Sequence, residues 1–339
     1  MVLIDGIEGD LNTVNPNDIE SVSVLKDAAS ASIYGARASF GVILVTTKSG
    51  KSGKTNVSYS GSARFSDAIG IPDIMDSYTF AQYFNRASAN KGGGDIFAPA
   101  VMERIKAYQE GTLKATTVDN GAGIWQKWAN ANGNTDWFEE FYDHWAPSQE
   151  HNLSINGGTD KTQYLISGSF LDQKGLMRHG SDKFQRYTLN GKITTAVTDW
   201  FKVTYSTKWT REDFERPTYL TGSFFHNLAR KWPVHPAYDP NGFPMDEGEV
   251  EQMENGGKQN SQKDFYTNQL QLVFEPIKNW KINLDGSVRT TTQYQHWEVL
   301  PVYAYNVDGD PYYTVWDMGY GSYAAGSSRV NEYSWKENY

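Results

Sequence analysis

From Thr55 to the end of the chain, hydrophobic and polar residues alternate with a period of two over long segments. The clearest segments extend over about 9 to 12 residues, whereas strands of soluble sheets average about five or six and strands of membrane barrels need about 9–11. Strict alternation places apolar side chains on one face of a strand and polar side chains on the other. Two apolar faces read from this pattern are Val57, Tyr59, Gly61, Ala63 and Phe65, and Trp280, Ile282, Leu284, Gly286 and Val288. The pattern predicts long strands with one apolar and one polar face.

The connections between these segments alternate between short and long. Short connections are predicted at residues 157–161, 197–199 and 276–279, and longer ones at about residues 172–183, 211–264 and 298–328. Short turns on one side and long loops on the other are typical of bacterial outer-membrane barrels, whose ends also carry belts of aromatic residues. Aromatic residues are predicted near the strand ends at Tyr164, Trp200, Trp209, Trp280 and Trp297. The alternation and the loop lengths together favour a membrane β-barrel over a soluble sandwich.

Residues 1–50 have a different character. Val2 to Ile4 predicts a short strand that runs into a turn at Asp5 and Gly6, and Asn15 to Asp18 has the composition of a turn or helix start. A strand is predicted over residues 19–25, one or two helical turns over 26–34, and a buried strand over 41–47. This is a small α+β unit, too short to form its own core.

The same residues carry a family resemblance. The stretch "NTVNPNDIESVSVLKDAASASIYGARA" at residues 12–38, followed by "GVILVTTK" at 41–48, resembles the C-terminal half of the plug in SusC/RagA-type TonB-dependent outer-membrane transporters. Later phrases at residues 152–176, 184–203 and 232–244 resemble, more loosely, the early barrel hairpins and an extracellular loop of that family.

The resemblance implies a fold and a location. It implies a mainly β chain that forms part of a transmembrane antiparallel barrel, with about seven or eight of the family's 22 strands, in the bacterial outer membrane. Residues 1–50 would be the C-terminal part of the plug, 51–54 a linker, and 55–339 the first part of the barrel with long extracellular loops. The signal peptide, the TonB-contacting segment and the rest of the plug are expected to lie outside this sequence.

The resemblance also implies a function: TonB-dependent uptake of oligosaccharides or peptides, together with a SusD-like surface lipoprotein. TonB would act through a segment that this sequence lacks, and the strands would contact outer-membrane lipid. Two other interpretations stay open: a TonB-dependent siderophore receptor, and a soluble all-β protein that binds or cleaves carbohydrate.

Composition narrows the chemistry further. The net charge is −9, which gives nucleic-acid binding no electrostatic support, and the absence of cysteine excludes disulfides and thiolate sites. No serine-histidine-aspartate order or nucleophile-elbow motif is present, so we expect no enzyme activity, no catalytic residues and no cofactor.

Three groups of titratable residues are weighed as cation sites, and a fourth is weighed as paired catalytic carboxylates. The six histidines show no metal-ligand spacing and are expected in loops or at strand ends. Acidic residues crowd the segment 246–254, where simple solvation is expected and calcium binding is the alternative. Asp308 to Asp310 is interpreted as a turn. Glu139, Glu140 and Asp143 are interpreted as the solvated face of a short amphipathic helix.

Aromatic residues in two long connections are the candidate binding residues. Aromatic rings offer a flat apolar face with a polar edge, which suits stacking on sugars or packing on a protein partner. Packing between loops is the alternative explanation. The residues selected for contact with the solute or with the lid are Trp232, Tyr238, Tyr303, Tyr312, Tyr313, Trp316 and Tyr320.

Overall fold

A computed structural model describes residues 1–26, 32–38, 40–314, 316–317, 322–323 and 328–338. Its strands are β1 (Val2–Ile4), β2 (Ile7–Glu8), β3 (Ile19–Leu25), β4 (Val42–Thr47), β5 (Gly53–Ser66), β6 (Ala146–Gly158), β7 (Thr162–Lys174), β8 (Lys183–Thr198), β9 (Phe201–Pro217), β10 (Lys258–Ile277), β11 (Trp280–Val299), β12 (Tyr303–Tyr305), β13 (Pro311–Tyr313), β14 (Trp316–Asp317), β15 (Ser322–Tyr323) and β16 (Arg329–Asn338). Its α-helices are α1 (Ser77–Asn90), α2 (Pro99–Gln109), α3 (Trp137–Phe141), α4 (Gly222–Leu228) and α5 (Val250–Asn255).

The N-terminal residues form the small unit that the sequence predicts. The expectation that it is too short to form its own core was wrong, because Leu3, Ala38 and Val42 are buried together on one side of its sheet and Ile4, Val14 and Val45 on the other. Its sheet has the strand order β2-β1-β4-β3, and β1 and β4 are parallel. Two 3₁₀ turns, Leu11–Thr13 and Pro16–Asp18, connect β2 to β3. The helical turns predicted over 26–34 fall partly outside the described residues, and Ser32–Ala38 is a 3₁₀ segment interrupted at Gly35. We call residues 1–50 the plug segment.

Eight long strands form one antiparallel sheet, which we call the wall. Its order is β16-β11-β10-β9-β8-β7-β6-β5, so that neighbours in sequence pair along the whole sheet and β5 and β16 are its edges. The plug segment packs on one face of the wall. Directly opposed residues on that face are polar across seven strands: Ser58, Ser154, Ser167, Asn190, Lys208, Thr267 and Arg289.

The opposite face of the wall is apolar and uncovered. Leu284 and Val288 are 54% and 58% exposed although they lie within a 20-residue strand, and Val57, Leu153 and Leu189 are exposed in the same way. A soluble sheet would bury this face and leave the polar face to water. The arrangement here is inverted, as in membrane barrels, where lipid covers the outer face. The structure therefore confirms the mainly β fold, with an open antiparallel wall behind a plug segment.

The parity of the connections is also confirmed. The turns at 159–161, 199–200 and 278–279 are short and lie on one side of the wall. The other side carries four connections, which we call loop A (67–145), loop B (175–182), loop C (218–257) and loop D (300–328). The alternation pattern did not predict the helices α1 and α2 of loop A. Across the described stretches of the chain, no helix is long and apolar enough to cross a membrane.

The predicted strand lengths were too short. The wall strands other than β16 have 13 to 20 residues because they continue beyond the apolar band. On β9 the eight steps from Phe201 to Trp209 cover about 26 Å of strand, or about 20 Å of height at the usual tilt, close to the apolar band of outer-membrane barrels. Beyond Trp209 the same face continues with Arg211 and Asp213. Trp209 therefore lies in the middle of its strand and not, as expected, near its end.

Candidate functional site: the plug–wall contact and the loop core

The plug segment contacts the wall through two carboxylates, and the first is Asp5. Asp5 ends strand β1 in a left-handed conformation with φ 51°, which turns its side chain toward Thr47 and the wall. Its carboxylate accepts hydrogen bonds from the Thr47 amide at 2.8 Å and the Thr47 hydroxyl at 2.6 Å, and it forms an ion pair with Lys208 Nζ at 2.6 Å. The backbone carbonyl of Asp5 accepts from Gln269 Nε2 at 3.1 Å. Burial alone would raise the pKa of Asp5, but Lys208 and Thr47 outweigh it and the pKa lies below its ordinary value.

The second carboxylate, Asp18, is held by neutral donors. It ends the 3₁₀ turn Pro16–Asp18, which Asn15 caps through its side chain, and it is 4% exposed. One carboxylate oxygen accepts from Ser167 Oγ at 2.7 Å and from Asn190 Nδ2 at 2.5 Å. Asn15 itself donates to Asn152 Oδ1 of the wall at 2.8 Å. The side chains of Asn15 and Asp18 therefore bind three adjacent wall strands, β6, β7 and β8.

Two wall arginines bind the plug backbone between Asp5 and Asp18. Arg186 donates to the Asn12 carbonyl at 2.6 Å, and Arg289 donates to the Glu8 carbonyl at 2.5 Å. Thr210 donates to the Thr13 carbonyl at 3.0 Å. A cavity of about 350 Å³ remains between this segment and the wall, and Lys192 and Lys263 are among its lining residues. The plug segment is thus held by polar contacts that surround a space rather than by a dry apolar interface.

The four long loops share one hydrophobic core on the other side of the molecule. Loop A contributes Trp137 and Phe141, loop B contributes Met177, and loop C contributes Phe224, Leu228, Val250 and Met253. Val299 and Val302 join this core from the end of β11 and from loop D. A second cluster joins Phe97 and Ile105 of loop A to Val234 of loop C. The described parts of the loops therefore form a packed layer above the wall, which we call the loop core.

The acidic segment of loop C was expected to be solvated, and that expectation was wrong for Glu249 and Glu251, which are buried, whereas Glu247 and Glu254 are exposed. Glu249 is 6% exposed, and its carboxylate lies 3.3 Å from Lys231 Nζ and accepts from the Tyr219 hydroxyl and from Asn227. The ammonium of Lys231 lies over the Trp137 ring at 4.7 Å. Burial lowers the pKa of Lys231, although the charge of Glu249 acts in the opposite direction. The ion pair is internal to loop C, and Lys231 joins it to loop A through the Trp137 ring.

Asp246 and Glu247 join the same two loops. Lys127 Nζ donates to Asp246 at 2.7 Å and to Glu247 at 2.5 Å, and Trp128 Nε1 donates to Glu247 at 2.6 Å. The Trp128 ring stacks on the buried imidazole of His235 at 4.5 Å. Burial lowers the pKa of His235 well below its ordinary value, so this imidazole is neutral.

The predicted contact residues fall into three groups. Trp232 lies inside the loop core, in ring contact with Phe80, Phe84, Phe97 and Trp128, and its carbonyl accepts from Trp137 Nε1. Tyr238 packs against the core, where burial and the carboxylate of Glu140 raise its pKa to about 12. Trp316 contributes backbone to β14, and Tyr320 lies outside the described residues.

Tyr303, Tyr312 and Tyr313 are brought together by the hairpin β12–β13. The rings of Tyr303 and Tyr313 are 4.8 Å apart, and Tyr313 is 52% exposed. Next to them, Tyr305 stacks on Phe243 of loop C at 4.1 Å. The turn of this hairpin is built as predicted at Asp308 to Asp310, with the Asn306 side chain accepting from the amides of Asp308 and Asp310. We call Phe243, Tyr303, Tyr305 and Tyr313 the aromatic ledge.

Sequence reasoning missed the residues of the plug–wall contact. Asp5 was predicted only as part of a turn, and Asp18 only as part of a turn or helix start. The wall partners Lys208 and Asn190 were assigned correctly to the polar face, but alternation alone does not say which polar residue meets the plug. The expectation that all histidines lie in loops or at strand ends was also wrong, because His151 lies within β6. In the part of the chain that the structure describes, no group of three or more His, Cys, Asp or Glu side chains could hold a metal ion.

Comparisons with known proteins agree with this architecture. Residues 1–42 match the family model of the TonB-dependent receptor plug domain. The chain is 33% identical over 186 residues to the TonB-dependent receptor SusC of Bacteroides thetaiotaomicron, a match that covers 55% of this chain and 15% of that protein. It is 29% identical over 203 residues to the TonB-dependent receptor P3 of Formosa agariphila, covering 60% of this chain and 16% of that protein. The matches thus span about a sixth of these relatives.

Solved structures share the fold. The RagAB peptide importer in its "closed-closed" state aligns with a TM-score of 0.69 at 22% identity, over 88% of this chain and 35% of that chain. The "open-open" state of the same importer aligns with the same TM-score at 23% identity. At this level of identity the alignment shows the arrangement of plug segment, wall and loops.

Proposed function

We propose that this chain, which matches the TonB-dependent receptor plug model and resembles SusC and RagAB, supplies part of the plug and wall of an energy-coupled nutrient importer of the SusC/RagA type in the bacterial outer membrane. Residues 1–50 act as plug, 51–54 as linker, and the remainder as lipid-facing wall with extracellular loops. Solute passes when TonB moves the plug relative to the wall. No bond is made or broken in this process, so it needs no catalytic residue.

The observation that carries this proposal is the character of the plug–wall contact. A plug that served only to complete a core would bury apolar surface against the wall. Here the contact consists of an ion pair, neutral hydrogen bonds and a cavity. Because each polar group can exchange its partner for water, such contacts are worth about 0.5–3 kcal/mol each and can be broken stepwise.

We propose that the solute is an oligosaccharide or a peptide, delivered with the help of a SusD-like surface lipoprotein. The aromatic ledge supports this, since exposed Tyr313 and its stacked neighbours present ring faces on the loop side. A fold neighbour, RagAB, is described as a peptide importer, which favours the peptide alternative. Binding of a labelled oligosaccharide pool and a labelled peptide pool to the transporter–lipoprotein complex separates the two classes.

Plug movement can be tested by a removable crosslink. In the complete transporter, cysteines replace Asn15 of the plug and Asn152 of the wall, whose side-chain atoms meet at 2.8 Å. This segment has no native cysteine to interfere. A short bis-methanethiosulfonate reagent should stop uptake, and dithiothreitol should restore it.

A matched pair within the wall provides the control. Cysteines at Gln149 and Asp172 are directly opposed on β6 and β7, so the same crosslink joins two wall strands and leaves the plug free. Uptake should continue after that treatment. Undiminished uptake with the crosslink formed between positions 15 and 152 would show that this part of the plug does not move during transport.

A further inference from the structure

One buried histidine joins three of the long loops. His179 lies in loop B with its side chain 7% exposed. Its Nε2 atom lies 2.8 Å from Glu140 of helix α3 in loop A, and its Nδ1 atom lies 2.7 Å from Glu254 of helix α5 in loop C. The edge of the ring meets the Phe141 ring at 5.4 Å, within the loop core.

These distances determine the protonation state of the ring. A carboxylate only accepts hydrogen bonds, and a neutral imidazole has one N–H. Both nitrogens of His179 face carboxylate oxygens, so each must carry a hydrogen and the ring is an imidazolium. His235 shows the opposite case in the same loop core: Nε2 donates to the Asp246 carbonyl and Nδ1 accepts from the Trp128 amide.

Two other titratable groups lie near His179. Tyr238 of loop C approaches Glu140 with its hydroxyl. Arg178, the neighbour of His179, donates to the Tyr142 carbonyl and lies close enough to act on Tyr238 electrostatically. Glu140 thus faces the imidazolium and the Tyr238 phenol, and Glu254 faces the imidazolium with Glu251 nearby on the same helix, so loss of the imidazolium charge would leave both carboxylates without a cationic partner.

The backbone leaves loop B little freedom to adapt to such a loss. Gly180 follows His179 with φ 75°, and a Cβ atom there would meet the Met253 carbonyl oxygen of helix α5 at 2.4 Å. Loop B thus runs directly against α5 next to Glu254. Loop B is fixed to loop A by backbone hydrogen bonds from Arg178 to the Phe141 carbonyl and from Asp143 to the Leu176 carbonyl, so the ionic contact acts chiefly on how α5 of loop C is held against these two loops.

We propose that His179 is a pH-sensitive joint that holds loops A, B and C together while it is protonated and releases them when it loses its proton. The released state has a neutral imidazole between two repelling carboxylates, and the packing of α3 against α5 loosens. The joint meets the loop core at Phe141, so pH would act on the layer of loops and not on the plug.

The direction of the pH effect follows from linkage. Burial alone would lower the pKa of His179, but the hydrogen bonds and charges of Glu140 and Glu254 outweigh it and the pKa lies above its ordinary value. A histidine whose pKa is raised by folding stabilises the folded loops fully below its unfolded pKa, near 6.5. That stabilisation is lost as the pH rises through the folded value.

Hydrogen exchange of the complete transporter tests the proposal. Peptides covering residues 137–142, 176–182 and 250–255 are followed between about pH 6 and 9, with correction for the intrinsic exchange rate. We expect their protection to fall by up to about tenfold for each pH unit between the unfolded and folded pKa of His179, and then to level off. Protection that stays constant across this range would overturn the proposal.

Three variants make the test specific. His179→Gln should lower protection at pH 6 and abolish its pH dependence. Glu254→Gln keeps the shape of the side chain and a hydrogen-bond acceptor but removes one charge, so the fall in protection should move to lower pH. If the pH at which half of the protection is lost stays unchanged in this variant, the proposal is overturned even if His179→Gln fails to fold. His144→Gln is the matched control, because His144 also lies between two carboxylates, Asp67 and Glu139, but its side chain is 41% exposed. It should leave protection within about twofold of the parent, as expected for exposed ion pairs.

Discussion

Asp5 of the plug segment and Lys208 of wall strand β9 form an ion pair of 2.6 Å across the boundary between plug and wall. The carboxylate is 9% exposed and the lysine side chain 23%, so the pair is shielded from water on most sides. Asp5 also holds strand β4 through Thr47, which makes it the point where the plug sheet and the wall meet.

Replacement of Lys208 by Met should weaken this contact. The buried carboxylate of Asp5 would keep its hydrogen bonds from Thr47 but lose its cation, at a cost of about 2–3 kcal/mol, less than for a fully buried pair. The rate of protease cleavage in the plug segment measures the loss. Lys202→Met, on the same polar face of β9 but six residues away and beside the short turn that precedes the strand, is the control and should leave cleavage unchanged. Equal effects of the two substitutions would contradict the assignment.

The ion pair of Asp5 and Lys208 also predicts how the stability of the plug–wall contact depends on pH. Because the pKa of Asp5 is lowered in the folded protein, its contribution is complete above the unfolded value of about 3.9 and is lost as the pH falls through the folded value. Plug release, followed by protease accessibility, should therefore increase below about pH 4 in the parent. In Asp5→Asn this acid-dependent step should be absent, and its persistence would assign the step to another carboxylate.

Asp18 should behave differently because its partners are neutral. Asp18→Ala removes a buried acceptor and leaves Ser167 and Asn190 with unsatisfied donors, which should cost about 2–3 kcal/mol of plug–wall stability. A double-mutant cycle with Ser167→Ala should give a coupling energy of about 1–2 kcal/mol, measured by denaturant titration of plug release. Additive effects would show that the Ser167 hydrogen bond contributes nothing.

How much of this structure the sequence predicts depends on the range of the interactions. Alternation around Leu284 and Val288 is a local property, and it predicts the strand and the face that meets lipid. The pairing of Asp18 with Asn190 joins residues 172 positions apart, and no local pattern encodes it. Loop A was missed for a related reason: α1 and α2 are short helices whose apolar residues pack on loop C, and their local periodicity is weak against the strong alternation that follows.

The buried pair Lys231–Glu249 explains why the acidic segment was misjudged and offers a further test. Glu249→Gln leaves the buried ammonium of Lys231 without its ion-pair partner, with only the more distant charge of Glu247 acting on it, and should destabilise the loop core by about 3–5 kcal/mol. The double variant Lys231→Met, Glu249→Gln removes both charges and should lose less than the single variant. Thermal unfolding followed by tryptophan fluorescence reports on this core, since Trp137 lies under the ammonium. A double variant less stable than Glu249→Gln would contradict this account.

Substitutions of Tyr313 and Trp232 can distinguish contact with a ligand from packing between loops. Trp232→Ala removes a ring from a cluster of aromatic side chains and should cost about 3–5 kcal/mol of stability, with loss of binding as a consequence of the damaged core. Tyr313→Ala removes a ring that is half exposed, so the stability should change by less than about 1 kcal/mol. If the aromatic ledge contacts the solute or the lipoprotein, Tyr313→Ala should still weaken binding about tenfold, a loss of about 1.4 kcal/mol. Calorimetric titration of the folded Tyr313→Ala variant measures this loss of affinity. An affinity equal to that of the parent for both the solute and the lipoprotein would leave Tyr313 with a role in loop packing alone.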